Sequence, residues 1–422
     1  MKAAIILLIE ICLFLQMLLF EDMDGRQRCM WTVLLFCLPV VGAILYLVLG
    51  SSWPARFGKS RKAEPPVLKT TFCNKAALVS GWEEIVPGML QDIASAQQTV
   101  DLAIYGFADD ENGREWLSAL CQAAQRGVRV RVLYDAFGSK KTGRRFFKPL
   151  TALGGQAQKV RPWPTHYRYH RKMMIVDGRI LWMGSMNIGV KYIDRHPVKK
   201  PWRDTQVRIE GDAALEAEKL FLYDWRCAAE DDRAEEKKPA IPFPKGVEVS
   251  LLYSGAAGHR DEMHHAWIDM INGAKETLAL QSPYLVPDAA LLAAIESAAR
   301  RGVDVTIMLP KIPSGPHIQP LTDEIAAAVC TSGVRILLYP GYLHSKTLCR
   351  DQMLTCIGSP NLDTRSMMID EENCALIADA AFTASFMERF RRDEAICTTY
   401  APDPLAKKNL GARLLHLIYA LE

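Results

Sequence analysis

Three things are scarce in this chain, and each absence removes a class of function. Net charge is the first. The 51 Lys and Arg against 48 Asp and Glu leave +3 over 422 residues, which gives no global electrostatic footprint for nucleic acid. Metal-ligand patterning is the second. Eleven cysteines are present, an odd number, and none stands in a C-x-x-C pair or a Cys/His zinc spacing, so the sequence predicts reduced thiols facing the cytosol and neither metal nor cofactor. The third is a leader cleavage site. No small-x-small site follows the first apolar run; Glu21-Asp22-Met23-Asp24 does, which argues against a removed signal.

What is present at the N-terminus is apolar. Trp31 to Gly50 is twenty residues without a charge, long enough to cross a hydrocarbon core as a helix. Trp31 and Trp53 flank it in the manner of interfacial aromatics. Ala3 to Phe20 is a second apolar run, interrupted by Glu10 and Gln16. The reading is a transmembrane helical hairpin, residues 1–20 and 31–52; an in-plane first segment is the alternative. Lys2 precedes the first run, and Arg56, Lys59, Arg61 and Lys62 follow the second in a basic linker, 53–65. Positive-inside logic places both outer ends in the cytoplasm, with the basic cluster against anionic membrane lipids.

The remainder carries one reactive cassette twice. His170, Lys172, Asp177, Gly184, Ser185 and Asn187 recur at identical spacing as His344, Lys346, Asp351, Gly358, Ser359 and Asn361. At roughly 5% per residue type, six matches at fixed offsets arise about once in tens of millions of starts. The two histidines lie 174 residues apart, and the Arg-Gly-Val landmarks at Gly127 and Gly302 lie 175 apart. A near-constant offset over separate landmarks marks duplication of a whole fold unit. Each half reads as an Ala/Leu-rich helix (115–125; 289–300) closed by a glycine C-cap, then a β-branched run. The class is α/β, a duplicated sandwich: half 1 over 66–230, a charged and proline-bearing linker over 231–245, half 2 over 246–405. Residues 406–422 place Leu410, Leu414, Leu417, Ile418 and Leu421 at helical spacing. That amphipathic helix packs on the body, lies at the membrane surface or forms a homodimer contact.

His and Lys two apart on a strand share one face. The imidazole then reaches phosphorus while the ammonium reaches non-bridging oxygens. Ser185, Asn187, Ser359 and Asn361 are read as phosphate-binding donors beside close-approach glycines. Two facing cassettes supply a neutral imidazole to attack and a protonated one to release the leaving oxygen. His170, Lys172, Asp177, His344, Lys346 and Asp351 are taken together as the catalytic set; Asp177 and Asp351 belong to it by cassette spacing, although they lie on turns, where fixing the turn is the stronger reading. Asp204 and Glu372, downstream of the two Asn residues, are the candidates to orient the imidazoles, with Glu371 as a rival to Glu372. His166 is read as a rim residue.

These residues give the chain a resemblance to the phospholipase D superfamily, and within it to bacterial cardiolipin synthases. His166-Tyr167-Arg168-Tyr169-His170-Arg171-Lys172 resembles their H-x-R-x-H-R-K run, and Trp202-Arg203-Asp204 their W-R-D. Ser282 to Asp288 is similar to their P-Y-F-x-P-D stretch, Asn361 to Ser366 to their N-L-D-x-R-S, and the segment around Trp31 to Gly50 to their N-terminal membrane segment. Asp370-Glu371-Glu372 departs from their Asn-x-Glu at its first position. The resemblance implies a cofactor-free transferase of the bacterial cytoplasmic membrane, multi-pass, its catalytic body in the cytoplasm. Its substrate would be phosphatidylglycerol, two of which are joined with release of glycerol. It leaves open which histidine is the nucleophile and favours His170. A hydrolase with the same site, acting on phospholipid or on nucleic acid, and a scaffold with a dead site are the competing readings. The near-neutral body disfavours the nucleic-acid reading, and two intact cassettes disfavour the scaffold.

Overall fold

The structure is a computed structural model that describes residues 2–20, 25–50, 65–161, 167–194, 201–229, 244–255, 262–315 and 318–402. The basic cluster at 56–62, His166, the core of the linker at 231–243 and the C-terminal heptad-like stretch lie outside the described residues.

The N-terminal unit contains helices α1 (Lys2–Phe20), α2 (Gly25–Cys37) and α3 (Val41–Leu45), then a π-helical turn over Tyr46–Gly50. The continuous helix expected over 31–52 is not formed: it starts at Gly25 and breaks at Leu38–Val40. Pro39 lacks the N–H that would continue the ladder, and its ring opposes the preceding turn. Val40 takes a positive φ of 68°, and the helix resumes with Gly42 N donating to the Leu38 carbonyl at 2.6 Å. Among the described residues no helix is long and apolar enough to cross a membrane. Leu13, Met17, Trp31, Leu35 and Tyr46 form a small buried cluster, and the Tyr46 hydroxyl donates to Gln16 Oε1 at 2.5 Å. The outer faces are apolar too: Ile5, Leu8, Leu19, Val33, Val41 and Ile44 are all exposed.

The second unit, residues 63–161 and 168–406, holds two sheets of the same topology. The first runs β1-β8-β6-β5-β2-β3-β4, with β1 Asn74–Ser80, β2 Thr99–Ile104, β3 Arg129–Asp135, β4 Gln156–Val160, β5 Met173–Val176, β6 Ile180–Gly184 and β8 Thr205–Gly211. The second runs β9-β18-β16-β15-β10-β12-β13-β19. Its strands are β9 Glu248–Tyr253, β10 Thr277–Gln281, β12 Asp304–Pro310, β13 Arg335–Tyr339, β15 Thr347–Arg350, β16 Leu354–Gly358, β18 Asn373–Ala378 and the added edge strand β19 Thr398–Thr399. In both sheets three strands pair in parallel and the cassette strands antiparallel to them. Each parallel connection carries a helix. Glu111–Gln125 and Ala289–Arg300 begin on Asp110 and Asp288, whose side chains accept backbone N–H groups of the first turn. They end before Gly127 (φ 86°) and Gly302 (φ 90°), the left-handed positions that the Arg-Gly signals predict.

One apolar core joins the sheets. Met183, Val207 and Ile209 of the first and Ile357, Ala375 and Ile377 of the second belong to it. Phe221 and Trp225 of helix Ala213–Ala229 and Phe382, Phe386 and Phe390 of helix Ala380–Ala395 fill it out. At about 1.5–3 kcal/mol for each large buried side chain, this shared core fixes one half against the other. A separate core in half 1 sets Ile85, Trp116 and Leu120 against Val100, Val130 and Val132 on the opposite sheet face.

Two more strand pairs matter for chemistry. β14 (Tyr342–Leu343) runs parallel to β7 (Trp202–Arg203), so half 2 is stitched to half 1 directly ahead of His344. The counterpart is a parallel bridge from Tyr169 to Glu371, directly ahead of His170.

Candidate active site

Each histidine follows one of these cross-half pairings. The His170 amide donates to the Glu371 carbonyl at 2.9 Å, and the His344 amide to the Arg203 carbonyl at 2.7 Å. The next residue on the opposing segment then faces the imidazole. His170 Nδ1 lies 2.8 Å from Glu372 Oε1, and His344 Nδ1 lies 2.7 Å from Asp204 Oδ1. Each imidazole is therefore oriented by a carboxylate from the other half. Glu371, the rival to Glu372, contributes its backbone to this junction. With Nδ1 turned to a carboxylate, Nε2 is the ring nitrogen left for a substrate.

The Gly-Ser pairs serve this arrangement. Gly184 and Gly358 end β6 and β16, where an added Cβ would collide with the Thr205 and Asn373 carbonyls. That closeness lets Ser185 Oγ donate to Asp204 Oδ1 at 2.5 Å and Ser359 Oγ donate to Glu372 Oε2. The backbone N–H groups of Thr205 and Asn373 donate to the same two hydroxyls, at 3.0 Å each. Both serines, expected to bind phosphate, are thus engaged in holding the orienting carboxylates. The asparagines are braced as well. Asn187 Oδ1 accepts the Gly106 N–H at 2.9 Å, and Asn361 Nδ2 donates to the Tyr284 hydroxyl at 2.8 Å and to Ser366 Oγ at 3.2 Å.

Lys172 and Lys346 are almost wholly buried, each 1% exposed. Each ammonium donates to the carbonyl of its own histidine, at 2.6 and 2.5 Å. Burial pulls Lys172 down to about 8 and Lys346 to about 7, although Glu372 and Asp204 oppose the shift in both. The two lysines also press on both imidazoles. Burial, then Lys172 and Lys346, then Arg365 and Arg168, hold His170 well below its ordinary value. Burial and Lys346 bring His344 down to about 3 against the pull of Asp204, with Lys172 adding to the fall. Charges from both cassettes acting on both rings place them in one electrostatic site.

The two orienting carboxylates differ. Burial raises Glu372 to about 7, in spite of Lys172, Ser359, Ser366 and Lys346. Burial acts on Asp204 in the same sense, but His344, Lys346 and Ser185 outweigh it and set Asp204 at about 2. Asp204 also accepts the Trp202 indole N–H at 2.7 Å, so two neutral donors and an imidazole converge on it.

Asp177 and Asp351 do not reach the histidines. Asp177 accepts backbone N–H groups of Gln97, Gln98 and Thr99 at 2.9, 2.6 and 2.8 Å. Asp351 accepts those of Lys275, Glu276 and Thr277 at 2.8–3.1 Å. Each sits at the far end of its strand from the lysine and anchors the entry to β2 or β10. Their place among catalytic residues is corrected: they fix the fold beneath the site.

Sequence reasoning missed a further layer. Arg171, between His170 and Lys172, is buried and paired with Asp224, and it donates to the Ser254 carbonyl at 2.8 Å. Arg203 pairs with Asp393 at 3.0 Å. Asp224 and Asp393 fall on the buried faces of helices Ala213–Ala229 and Ala380–Ala395, and a buried carboxylate calls for a cation. Tyr105 was missed too; its ring meets His170 edge-on at 4.7 Å.

Two sandwiches that share one site, each giving a carboxylate-oriented histidine and a buried lysine, define the class: a phospholipase D-like transferase or hydrolase of phosphodiesters. A family model described as cardiolipin synthase, PLD-like domain, matches residues 89–225 and 267–394, and one described as phospholipase D-nuclease N-terminal matches residues 3–51. The chain belongs to the cardiolipin synthase family and is a phosphatidyltransferase. It is 29% identical to the major cardiolipin synthase ClsA of Bacillus subtilis (strain 168), over 96% of this chain and 95% of that protein. It is 31% identical to the cardiolipin synthase of Listeria innocua, over 82% of this chain and 74% of that protein. The fold is similar to the crystal structure of phosphatidylserine synthase from Haemophilus influenzae Rd KW20. The TM-score is 0.65 at 15% identity, covering 84% of this chain and 97% of that one.

Proposed function

We propose that this phosphatidyltransferase joins two phosphatidylglycerols into cardiolipin through a phosphatidyl-histidine at His170, with His344 as the proton carrier. The pairing of each imidazole with a carboxylate from the opposite half carries the reading, since it builds one site from two cassettes. In the first step His170 Nε2 attacks phosphorus as the bond to the glycerol oxygen breaks, and His344 gives that oxygen a proton. In the second step the hydroxyl of another phosphatidylglycerol attacks. It passes its proton to His344, and the P–N bond breaks. Both histidines return to their starting states, and cardiolipin and glycerol leave.

The unequal carboxylates support this division of labour. Asp204, ionised to low pH, steadies an imidazolium on His344. Glu372, raised by burial to about 7, is only part-ionised near neutrality, and burial with the surrounding cations keeps His170 neutral, as an attacker must be. In the free protein burial, and after it Lys346 and Lys172, hold His344 low. A phosphodiester anion on Lys172 and Lys346 offsets the lysines' share of that shift and, with Asp204, favours the proton that His344 later donates. The apolar outer faces of α1–α3 support a multi-pass anchor in a bacterial cytoplasmic membrane, with the body on the cytoplasmic side. Bulk water is about 55 M, and a lipid hydroxyl outcompetes it through proximity, which is worth effective molarities of roughly 10⁵ M or more.

The test is glycerol exchange in detergent-solubilised protein. Isotope-labelled glycerol enters phosphatidylglycerol when cardiolipin is supplied, and excess glycerol suppresses net synthesis. Accumulation of phosphatidic acid with no label incorporated makes water the acceptor and the protein a hydrolase.

A further inference from the structure

The near-neutral total charge conceals a one-sided distribution. The 41 residues between Asp135 and Asp177 contain ten Lys and Arg and no Asp or Glu. Five of these cations, Lys140, Lys141, Arg144, Arg145 and Lys148, fall in the loop and short helix that follow β3, and all five are exposed. Lys140, Lys141, Arg144 and Arg145 make no ion pair with any described residue. The corresponding stretch after β12, residues 311–320, has Lys311 as its single Lys or Arg.

The cations crowd one another. Lys159 is held below its ordinary value by burial and then by Arg161 and Arg144. Burial acts likewise on Lys191, with Lys140 and Lys141 adding to the shift. Repulsion of this kind in a folded loop is relieved by an external anion.

An exposed aromatic stands in the middle of the patch. Phe137 is 55% exposed. The Arg168 guanidinium lies 3.9 Å from its ring centroid on one side, and Lys140 Nζ lies 5.7 Å away. The loop is also rigidly tied to the site. Asp135 Oδ1 accepts the Phe137 and Gly138 N–H groups at 2.7 Å each. Its Oδ2 accepts the N–H of Tyr169, the residue before His170, at 2.9 Å. A contact made by Phe137 is thus registered two hydrogen bonds from the His170 backbone.

We propose that the loop Phe137–Lys148 is a membrane-docking rim: its cations sit on the headgroups of an anionic bilayer, and Phe137 enters the interface beside the mouth of the site. The inference rests on the reading that the substrates are bilayer lipids, and it adds the surface by which the body meets them. An apolar ring flanked by cations fits an anionic interface, because Arg168 already covers the ring and a single aromatic offers no cage to a choline headgroup.

The experiment uses full-length protein in phosphatidylcholine nanodiscs with and without phosphatidylserine, an anionic lipid that lacks the glycerol headgroup. Hydrogen–deuterium exchange is read on the peptide spanning 136–148. Exchange is expected to slow when phosphatidylserine is present. The protection is expected to vanish at about 1 M salt, where the screening length falls to roughly 3 Å. It is also expected to be lost in the combined Lys140→Gln, Lys141→Gln, Arg144→Gln, Arg145→Gln variant. Phe137→Ser is expected to weaken it without abolishing it. Equal exchange in both discs overturns the proposal. So does protection by single-stranded RNA in phosphatidylcholine discs with no response to phosphatidylserine. Absence of phosphatidyl transfer by the unmodified protein in detergent mixed micelles would instead overturn the substrate reading, so the two failures are separable.

Discussion

The two halves share strand order, cassette spacing and the manner in which each histidine is held, yet their carboxylates have been driven apart. Glu372 stands at about 7 and Asp204 at about 2. Both are fully buried and both accept from a Gly-Ser hydroxyl. At Asp204 the pull of His344, Lys346 and Ser185 outweighs burial, whereas at Glu372 burial prevails over Lys172, Ser359, Ser366 and Lys346. Duplication supplies two equivalent frames, and the unequal balance of burial against neighbouring charges suits Asp204 to steadying an imidazolium and Glu372 to holding a neutral ring, as proposed above. Pairs of titratable groups pushed in opposite directions by their surroundings commonly reveal acid and base assignments.

The largest effect should come from removing either imidazole. His170→Ala and His344→Ala should each lower turnover by roughly 10⁴-fold or more, and the double variant should be little worse than either single one. Half the activity in a single variant would mean two independent sites. Next come the carboxylates, where the comparison can be broken directly. Asp204→Asn should lower kcat by about 10²–10⁴-fold with little change in KM, because an ionised partner and the correct tautomer are lost together. Glu372→Gln should cost markedly less. Equal losses would remove the asymmetry from the account.

The lysines sharpen the comparison through pH. Burial sets Lys346 at about 7 and Lys172 at about 8. Both are charged below those values and lose charge as pH rises through them. In the free protein kcat/KM should therefore fall as pH rises from about 7 to 8, with KM rising as phosphate loses its ammonium partners. Lys346→Arg, which keeps its charge, should move that limb upward. A profile flat through this window would contradict the assigned role.

The smallest effect separates the two cassette turns. Arg179 N donates to the Val176 carbonyl around Asp177 and Gly178, both at positive φ, as a type I′ turn requires. In half 2 the second left-handed position is Gln352, at φ 52°. Gln352→Gly should stabilise the protein by about 0.5–1 kcal/mol, relief of left-handed strain exceeding the entropy glycine adds to the unfolded chain. Gly178→Gln should destabilise it. Thermal unfolding decides both, and activity per folded molecule should not change.

How far the chain itself revealed this site depends on the distance each feature spans. The cassettes, the duplication and the Gly127 and Gly302 caps rest on spacing and local backbone preference, so they are legible in order along the sequence. The crossed pairing of His170 with Glu372 and His344 with Asp204 is not, because it arises where the Glu371 and Arg203 backbones meet the opposite half. That Ser185 and Ser359, expected to bind phosphate, also hold the carboxylates was hidden for the same reason: Asp204 and Glu372 immediately precede β8 and β18, which tertiary folding brings alongside β6 and β16. The continuous second apolar helix failed for a local reason that hydropathy alone does not weigh, the proline at 39. Asp177 and Asp351 share the cassette's spacing and lie on turns, but their side chains anchor the backbone entering β2 and β10, a contact across the sheet that local sequence does not announce.

The central claim is a single site with unequal histidines. Its most direct measurement is to quench turnover with acid-free denaturant, digest the protein and locate the phosphatidyl adduct by mass spectrometry. The account predicts the adduct on the peptide containing His170 and none on that containing His344. An adduct on His344, or equal adducts on both, would contradict it.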